Sequence, residues 1–162
     1  MVVDGYHAME LPHYIVVGEN LAHKVVERLR LGYYRKGLMI TSPTAYRLMG
    51  SRIVGEASGK PELDVLMVET AMDMLERGRS PRFDVVLGVG GGKVMDLAKA
   101  LAETHGIPLF SIPTVASHDG IASPMTSVRT GGRAYSRKST MPSEIIADMA
   151  VIRLAPWKYT IS

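Results

Sequence analysis

Short apolar runs separated by amphipathic stretches divide this chain. YIVVG (14–18) predicts a buried strand. A helix is predicted after it, because Leu21, Val25 and Leu29 recur at i, i+4 and i+8 with Ala22 and Val26 beside them. GLMITS (37–42) predicts a second strand, and Pro43 suits the first turn of a short helix running through Met49. LDVLMVE (63–69) predicts a third strand; Thr70, with Asp73 three residues on, marks the start of another helix. DVVLGVG (84–90) predicts a fourth strand that runs into a cluster of glycines. Apolar residues at 94, 97, 98, 101 and 102 give the next helix one face, and PLFSIP (108–113) predicts a fifth strand. Continuously apolar strands that alternate with helices make a parallel sheet covered on both faces. The expected class is α/β, with a Rossmann-like sheet.

The tail has a different pattern. MTSVRTGGRAYSRKST (125–140) centres a polar stretch on Gly131-Gly132, which predicts a short β-hairpin. EIIADMAVI (144–152) predicts a last strand, and Pro156 then interrupts. Residues 1–155 therefore read as one α/β domain and 156–162 as the opening of a further element.

Composition narrows the function classes. A chain of 162 residues can build one domain with a substantial core. At 46% hydrophobic and 22% charged residues it resembles an ordinary soluble globular protein. No apolar run is long enough to span a bilayer, and MVVDGYHAMELPHY has no signal-peptide layout. Lack of cysteine rules out disulfides, thiolate metal sites and a thiol nucleophile, and suits a cytoplasmic setting. The net charge of +3 is spread over scattered basic residues and aromatic content is 6%, so nucleic acid is not the expected partner.

The chemistry concentrates in GVGGGKVMDLAKALAETHGIPLFSIPTVASHDG (88–120). A strand, then glycines, then a helix points backbone N–H groups and a helix dipole at an anion such as phosphate. Two familiar phosphate motifs nearly fit. The P-loop fails because Val94 follows Gly92-Lys93 and Leu87 stands where its first glycine belongs; the Rossmann fingerprint fails because Lys93 replaces a glycine. Ligands of parallel α/β sheets sit beyond the carboxyl ends of the strands. The loop after strand four and the loop after strand five, with Thr114, Ser117, His118 and Asp119, should therefore face one crevice. Ser117, His118 and Asp119 do not make a hydrolytic triad, since sequence neighbours cannot form the relay and no nucleophile elbow is present. Histidines 7, 13, 23, 105 and 118 show no metal-ligand spacing, and His105, before Gly106, suits a helix C-terminus.

GVGGGKVMDLAKALA followed by SIPTVASHDGIASPMTSV resembles the archaeal-type sn-glycerol-1-phosphate dehydrogenases. These belong to a wider group with glycerol dehydrogenases, iron-dependent alcohol dehydrogenases and dehydroquinate synthases. The resemblance covers essentially the whole chain but only the N-terminal half of such an enzyme. It implies a dehydroquinate synthase-like N-terminal domain in which Gly91, Gly92 and Lys93 contact the cofactor pyrophosphate and Asp96 lies on the nicotinamide side. Gly90, Val94 and Met95 complete that part of the cofactor site. Thr114 and Ser117 would line the cofactor cleft with Val115 and Ala116 between them, and Ser123 would contact the nicotinamide half. Asp119 would be a substrate-side residue. The implied reaction is reversible hydride transfer between NAD(P)H and dihydroxyacetone phosphate, giving sn-glycerol 1-phosphate for archaeal ether lipids.

The resemblance also implies a zinc ion held by one aspartate and two histidines of a helical second domain. Those ligands are expected beyond residue 162, with 156–162 as the start of that domain, so no metal site is expected here and the chain alone is expected to be inactive. TSPTAYRL, after strand two, lacks the acidic residue that would repel a 2′-phosphate. Ser42, Thr44 and Arg47 could accept one, which favours NADP over NAD while leaving both usable. A glycerol dehydrogenase acting on the free alcohol and a non-catalytic nucleotide-binding module are the alternatives. No stable membrane insertion is expected; the oligomeric state stays open, a homo-oligomer included.

Overall fold

The computed structural model describes residues 10–76, 82–116, 119–130 and 133–156. Six strands form one sheet: β1 (Tyr14–Gly18), β2 (Lys36–Thr41), β3 (Glu62–Met67), β4 (Val85–Gly90), β5 (Leu109–Pro113) and β8 (Glu144–Asp148). They lie in the order β1-β8-β5-β4-β2-β3, and every pairing is parallel. The antiparallel hairpin expected in the tail is β6 (Met125–Thr130) with β7 (Arg133–Lys138); its Gly131-Gly132 turn lies outside the described residues.

Strand periodicity sends alternate side chains to opposite faces. Val85, Leu87 and Val89 of β4 join Met39, Phe110 and Ile112 beneath helices α1 (Ala22–Leu31) and α3 (Ser51–Ala57). Leu38, Ile40, Val86 and Leu109 meet α4 (Val68–Glu76) and α5 (Gly92–His105) on the other face. Helices thus cover both faces, as the apolar pattern requires. Each fully buried Leu or Ile in these layers contributes about 1.5–3 kcal/mol of hydrophobic stabilisation.

Several boundaries differ from the sequence reading. β1 is an edge strand, with Ile15 58% and Val17 63% exposed, so the expectation of a buried strand is corrected. Val16 packs beneath α1, whereas the α4–α5 layer lies over β2, β4 and β5 and does not reach β1. The third strand stops at Met67 because helix α4 begins directly at Val68. The helix after β2 does not end at Met49: α2 (Pro43–Ala45) passes through a π-helical turn (Tyr46–Gly50) into α3. The last strand also ends early, at Asp148, and α6 (Met149–Ile152) follows.

Asp148 explains that last ending. Its side chain, 1% exposed, accepts from Leu21 N–H at 2.8 Å and from Ala150 N–H at 3.0 Å. One carboxylate therefore caps α6 and receives the chain as it enters α1. At the opposite end of β8, Glu144 takes two hydrogen bonds from Arg28 of α1, each 2.8 Å, while the guanidinium lies 4.2 Å from the Tyr14 ring centre. Between these anchors, β8 pairs with β1 over five residues but with β5 only at Phe110↔Glu144 and Ser111↔Ile145. The sheet thus parts between β5 and β8 towards its carboxyl edge.

Asp148→Ala leaves two N–H groups at this seam without their acceptor. It should lower unfolding free energy by about 2–4 kcal/mol, with Asp148→Asn intermediate because an amide oxygen replaces only one acceptor. Urea denaturation of the three proteins measures the difference.

Candidate functional site

The crevice forms where the connections out of neighbouring strands diverge. From β2 the chain crosses one face of the sheet through α3; from β4 it crosses the other through α5. β2 and β4 are adjacent, so their carboxyl ends leave a gap between departing loops, the usual ligand position in an open parallel sheet.

The glycine cluster shapes one wall. The positive-φ glycines among the described residues are Gly59 and Gly106, so the cluster serves close approach and not an unusual backbone turn. A Cβ on Gly88 would stand 2.9 Å from Met95 Sδ and 3.0 Å from Ala98 Cβ; one on Gly90 would stand 2.8 Å from Val94. Helix α5 can therefore rest directly on β4. Gly91 is extended (φ −92°, ψ −164°), and its carbonyl accepts from Met95 N–H to close the first helical turn. Thr114 N–H donates to Gly90 O at 3.0 Å, which ties the loop after β5 to the glycine loop. Thr41, fully buried at the end of β2, donates from Oγ1 to Val89 O at 2.8 Å and fixes the third side of the crevice.

A cleft of about 610 Å³ lies over these loops. It gathers Ser42, Thr44, Gly91, Gly92, Lys93, Val94, Thr114 and Val115 from the expected site residues. Ser42 Oγ accepts from Ala45 N–H, capping α2 with Pro43 in its first turn, and Arg47 Nη2 lies 3.4 Å from Thr44 Oγ1. A second cavity of about 270 Å³ opens beside Gly92, which lines both spaces. Its walls include Asp96, Gly120, Ser123 and Thr126. Ser123 Oγ accepts from Met125 N–H at 3.0 Å.

The remaining expected residues lie elsewhere. Gly90 and Met95 are buried between α5 and the sheet, and Ala116 is exposed; none of them lines either space. Ser117 and His118 lie outside the described residues. Asp119 opens a 3-10 turn (Asp119–Ile121), and its side chain lies outside what the structure describes. Sequence reasoning missed Val68 and Glu69, which line the cleft from the start of α4, and Leu154–Pro156 from the chain after α6. Val68 and Glu69 follow the carboxyl end of β3, so the rule that points to the glycine loop points to them as well. Electrostatically, the cleft sets Lys93 and the N-terminus of α5 against the single carboxylate of Glu69. Among the described residues, no three His, Asp or Glu side chains gather closely enough to hold a metal ion.

The family model described as iron-containing alcohol dehydrogenase matches residues 16–156. The chain belongs to this family. Within it, the chain is 34% identical over 160 residues to a Picrophilus torridus protein named glycerol-1-phosphate dehydrogenase [NAD(P)+], covering 94% of the chain and 45% of that relative. A Hyperthermus butylicus protein of the same name is 37% identical over 157 residues, covering 93% and 45%. The chain thus spans about half the length of the curated relatives it matches. Among solved structures, NADH-dependent butanol dehydrogenase A of Thermotoga maritima superposes with a TM-score of 0.81 at 19% identity, over 96% of this chain and 47% of that one. Glycerol dehydrogenase of Schizosaccharomyces pombe does so at 0.78 and 21%, over 95% and 41%. Both are alike in fold, and the resemblance read from the glycine loop and SHDGIASP stands with the family match and the curated relatives.

The close approach of α5 yields a paired test. Gly90→Ala should cost about 1–3 kcal/mol through overpacking against Val94. Gly55→Ala, in α3 with nothing within 4 Å of the added methyl, should instead stabilise by about 0.4–1 kcal/mol. Chemical denaturation of both variants reads the contrast.

Proposed function

We propose that this chain is the cofactor-binding part of an oxidoreductase that reduces dihydroxyacetone phosphate to sn-glycerol 1-phosphate with NAD(P)H, supplying the glycerol backbone of archaeal ether lipids. The observation that carries this reading is the glycine loop entering α5 as one wall of a cleft between diverging connections. The substrate comes from the name shared by the relatives above, and the share of their length that the chain spans makes the complete reaction part of the proposal. Residues 1–155 would serve as the NAD(P)-binding domain; the expected start of a helical domain over 156–162 lies, apart from Pro156, outside the described residues.

The bound nicotinamide supplies a hydride. The work of this chain is to hold the two halves of the dinucleotide and to aim the reacting end. Gly91, Gly92 and Lys93 would receive the pyrophosphate, through backbone N–H groups at the N-terminus of α5 and one ammonium. Asp96 and Ser123, at the second cavity, would receive the nicotinamide half. Asp119, in the turn beside that cavity, would accept hydrogen bonds from the hydroxyls of the substrate. Ser42 and Thr44 in the larger cleft, with Arg47 beside Thr44, favour a 2′-phosphate, while Glu69 on another wall favours a free ribose hydroxyl. That balance supports use of both cofactors with a lean to NADPH.

Calorimetry on the chain should show metal-independent NADPH binding, lost in Gly91→Val. A Cβ at Gly91 already comes within 3.2 Å of Val115 Cγ2, and the branched methyls would occupy the space a pyrophosphate must enter. Undiminished binding would remove the glycine loop from the site.

Asp119 separates substrate from cofactor. In the complete enzyme, Asp119→Asn should lower kcat/KM at least about tenfold, equivalent to ~1.4 kcal/mol, with NADPH affinity and Tm unchanged. A parallel fall in cofactor affinity or Tm would assign the carboxylate to its own turn.

A further inference from the structure

Helix α5 buries a lysine that the account of the cleft does not use. Lys99, about two turns beyond Gly92, is 0% exposed and is among the largest fully buried side chains. Burying an ammonium is costly, and a methionine of similar length would fill the same space without that cost. Burial pushes the Lys99 pKa down, and the Asp96 carboxylate one turn earlier opposes this less strongly. Within this burial, Nζ donates to Met125 O at 2.7 Å.

That contact falls at a particular place. Met125 is the first residue of β6 and lines the second cavity, and its own N–H is held by Ser123 Oγ. Lys99 and Ser123 together fix the peptide groups on both sides of Met125. The hairpin does not need Lys99 merely to stay attached. Glu103, one turn further along α5, takes a 2.7 Å bond from Arg137 Nη2 and a 2.9 Å bond from Ser139 Oγ, and Ser139 N–H donates to Pro124 O at 2.6 Å. Lys99 acts at the other end, where α5 and the Ser123–Thr126 segment face each other across the cavity.

We propose that Lys99 is a positioning residue for the nicotinamide end of the cofactor site. Its bond to the Met125 carbonyl sets the distance between the N-terminal turns of α5 and the cavity wall formed by Ser123, Met125 and Thr126. The inference rests on the dinucleotide reading above. It divides the site in two: the larger cleft, reached through Ser42 and the glycine loop, is independent of Lys99, and the second cavity depends on it.

The test compares NADPH with 2′-phospho-ADP-ribose, which lacks only the nicotinamide, by calorimetry on the wild-type chain, Lys99→Met and Lys99→Gln. Lys99→Met should weaken NADPH about tenfold, ~1.4 kcal/mol, leaving 2′-phospho-ADP-ribose unchanged. Lys99→Gln keeps an N–H donor and should recover most of the NADPH affinity. Unaltered NADPH binding by Lys99→Met overturns the proposal, as does a parallel loss of both ligands. If Lys99→Met does not fold, the same NADPH-selective loss, smaller in size, is expected in Lys99→Gln; failure of both variants to fold makes Lys99 structural and also overturns it. A wild-type chain that binds neither ligand refutes the dinucleotide reading itself, an outcome distinct from the others.

Discussion

Everything at the carboxyl edge depends on how closely α5 lies on β4. Side chains at 88 and 90 would hold the helix off the sheet, and glycine at both positions removes them. The helix can then begin immediately after the strand, with Gly91 extended and Gly92 already helical. Its first turn, Gly92 to Val94, then lines the cleft. The same approach brings the outward side of α5 under the hairpin, where Lys99 and Glu103 take hold of it. A single helix thus supplies one wall of the larger cleft, part of the lining of the second cavity and the mount for the hairpin. Displacing it would disturb all of these together.

The rest of the sheet is organised to leave that edge open. β4 and β5 pair over five residues, whereas β5 and β8 pair over two and then part. Parting strands lose ladder hydrogen bonds, and buried polar groups need replacements. Beyond the ladder, Asp148 at the end of β8 satisfies the N–H groups of Leu21 and Ala150, where the chain enters α1 and α6. Arg28 and Glu144 hold the opposite end, where a bidentate pair beside the Tyr14 ring gains geometry as well as charge. Ser111, whose buried hydroxyl has no partner among the described residues, sits at the last rung before the strands part.

Much of this was legible in the sequence. Apolar runs gave the six parallel strands, because a strand buried on both faces leaves a continuous hydrophobic signature. The glycine cluster gave the place of the cleft. What failed, failed for local reasons. YIVVG looks like any buried strand, yet its exposure is decided by which helices cover it, and that is a property of strand order. LDVLMVE and EIIADMAVI read as longer strands because Val68, Met149 and Val151 are apolar whether they continue a strand or begin a helix. Glu69 follows β3, whereas the Rossmann pattern points to an acidic residue after β2, so its place in the cleft is not legible from that pattern.

Lys99 shows the limit most clearly. Helical periodicity assigns 94, 97, 98, 101 and 102 to the buried face of α5 and leaves a lysine at 99 to solvent, the ordinary fate of that residue. The assignment assumes that the helix has one partner. Here the sheet takes one side and the Ser123–Thr126 segment takes another, so the buried arc is wider than a two-layer pattern allows. A charged side chain inside a widened arc is not a failure of amphipathicity. It marks the point where a second partner has to be held by a polar bond, because the partner presents a carbonyl there and not an apolar side chain. The residue that periodicity assigns to solvent thereby joins α5 to the cavity wall opposite it.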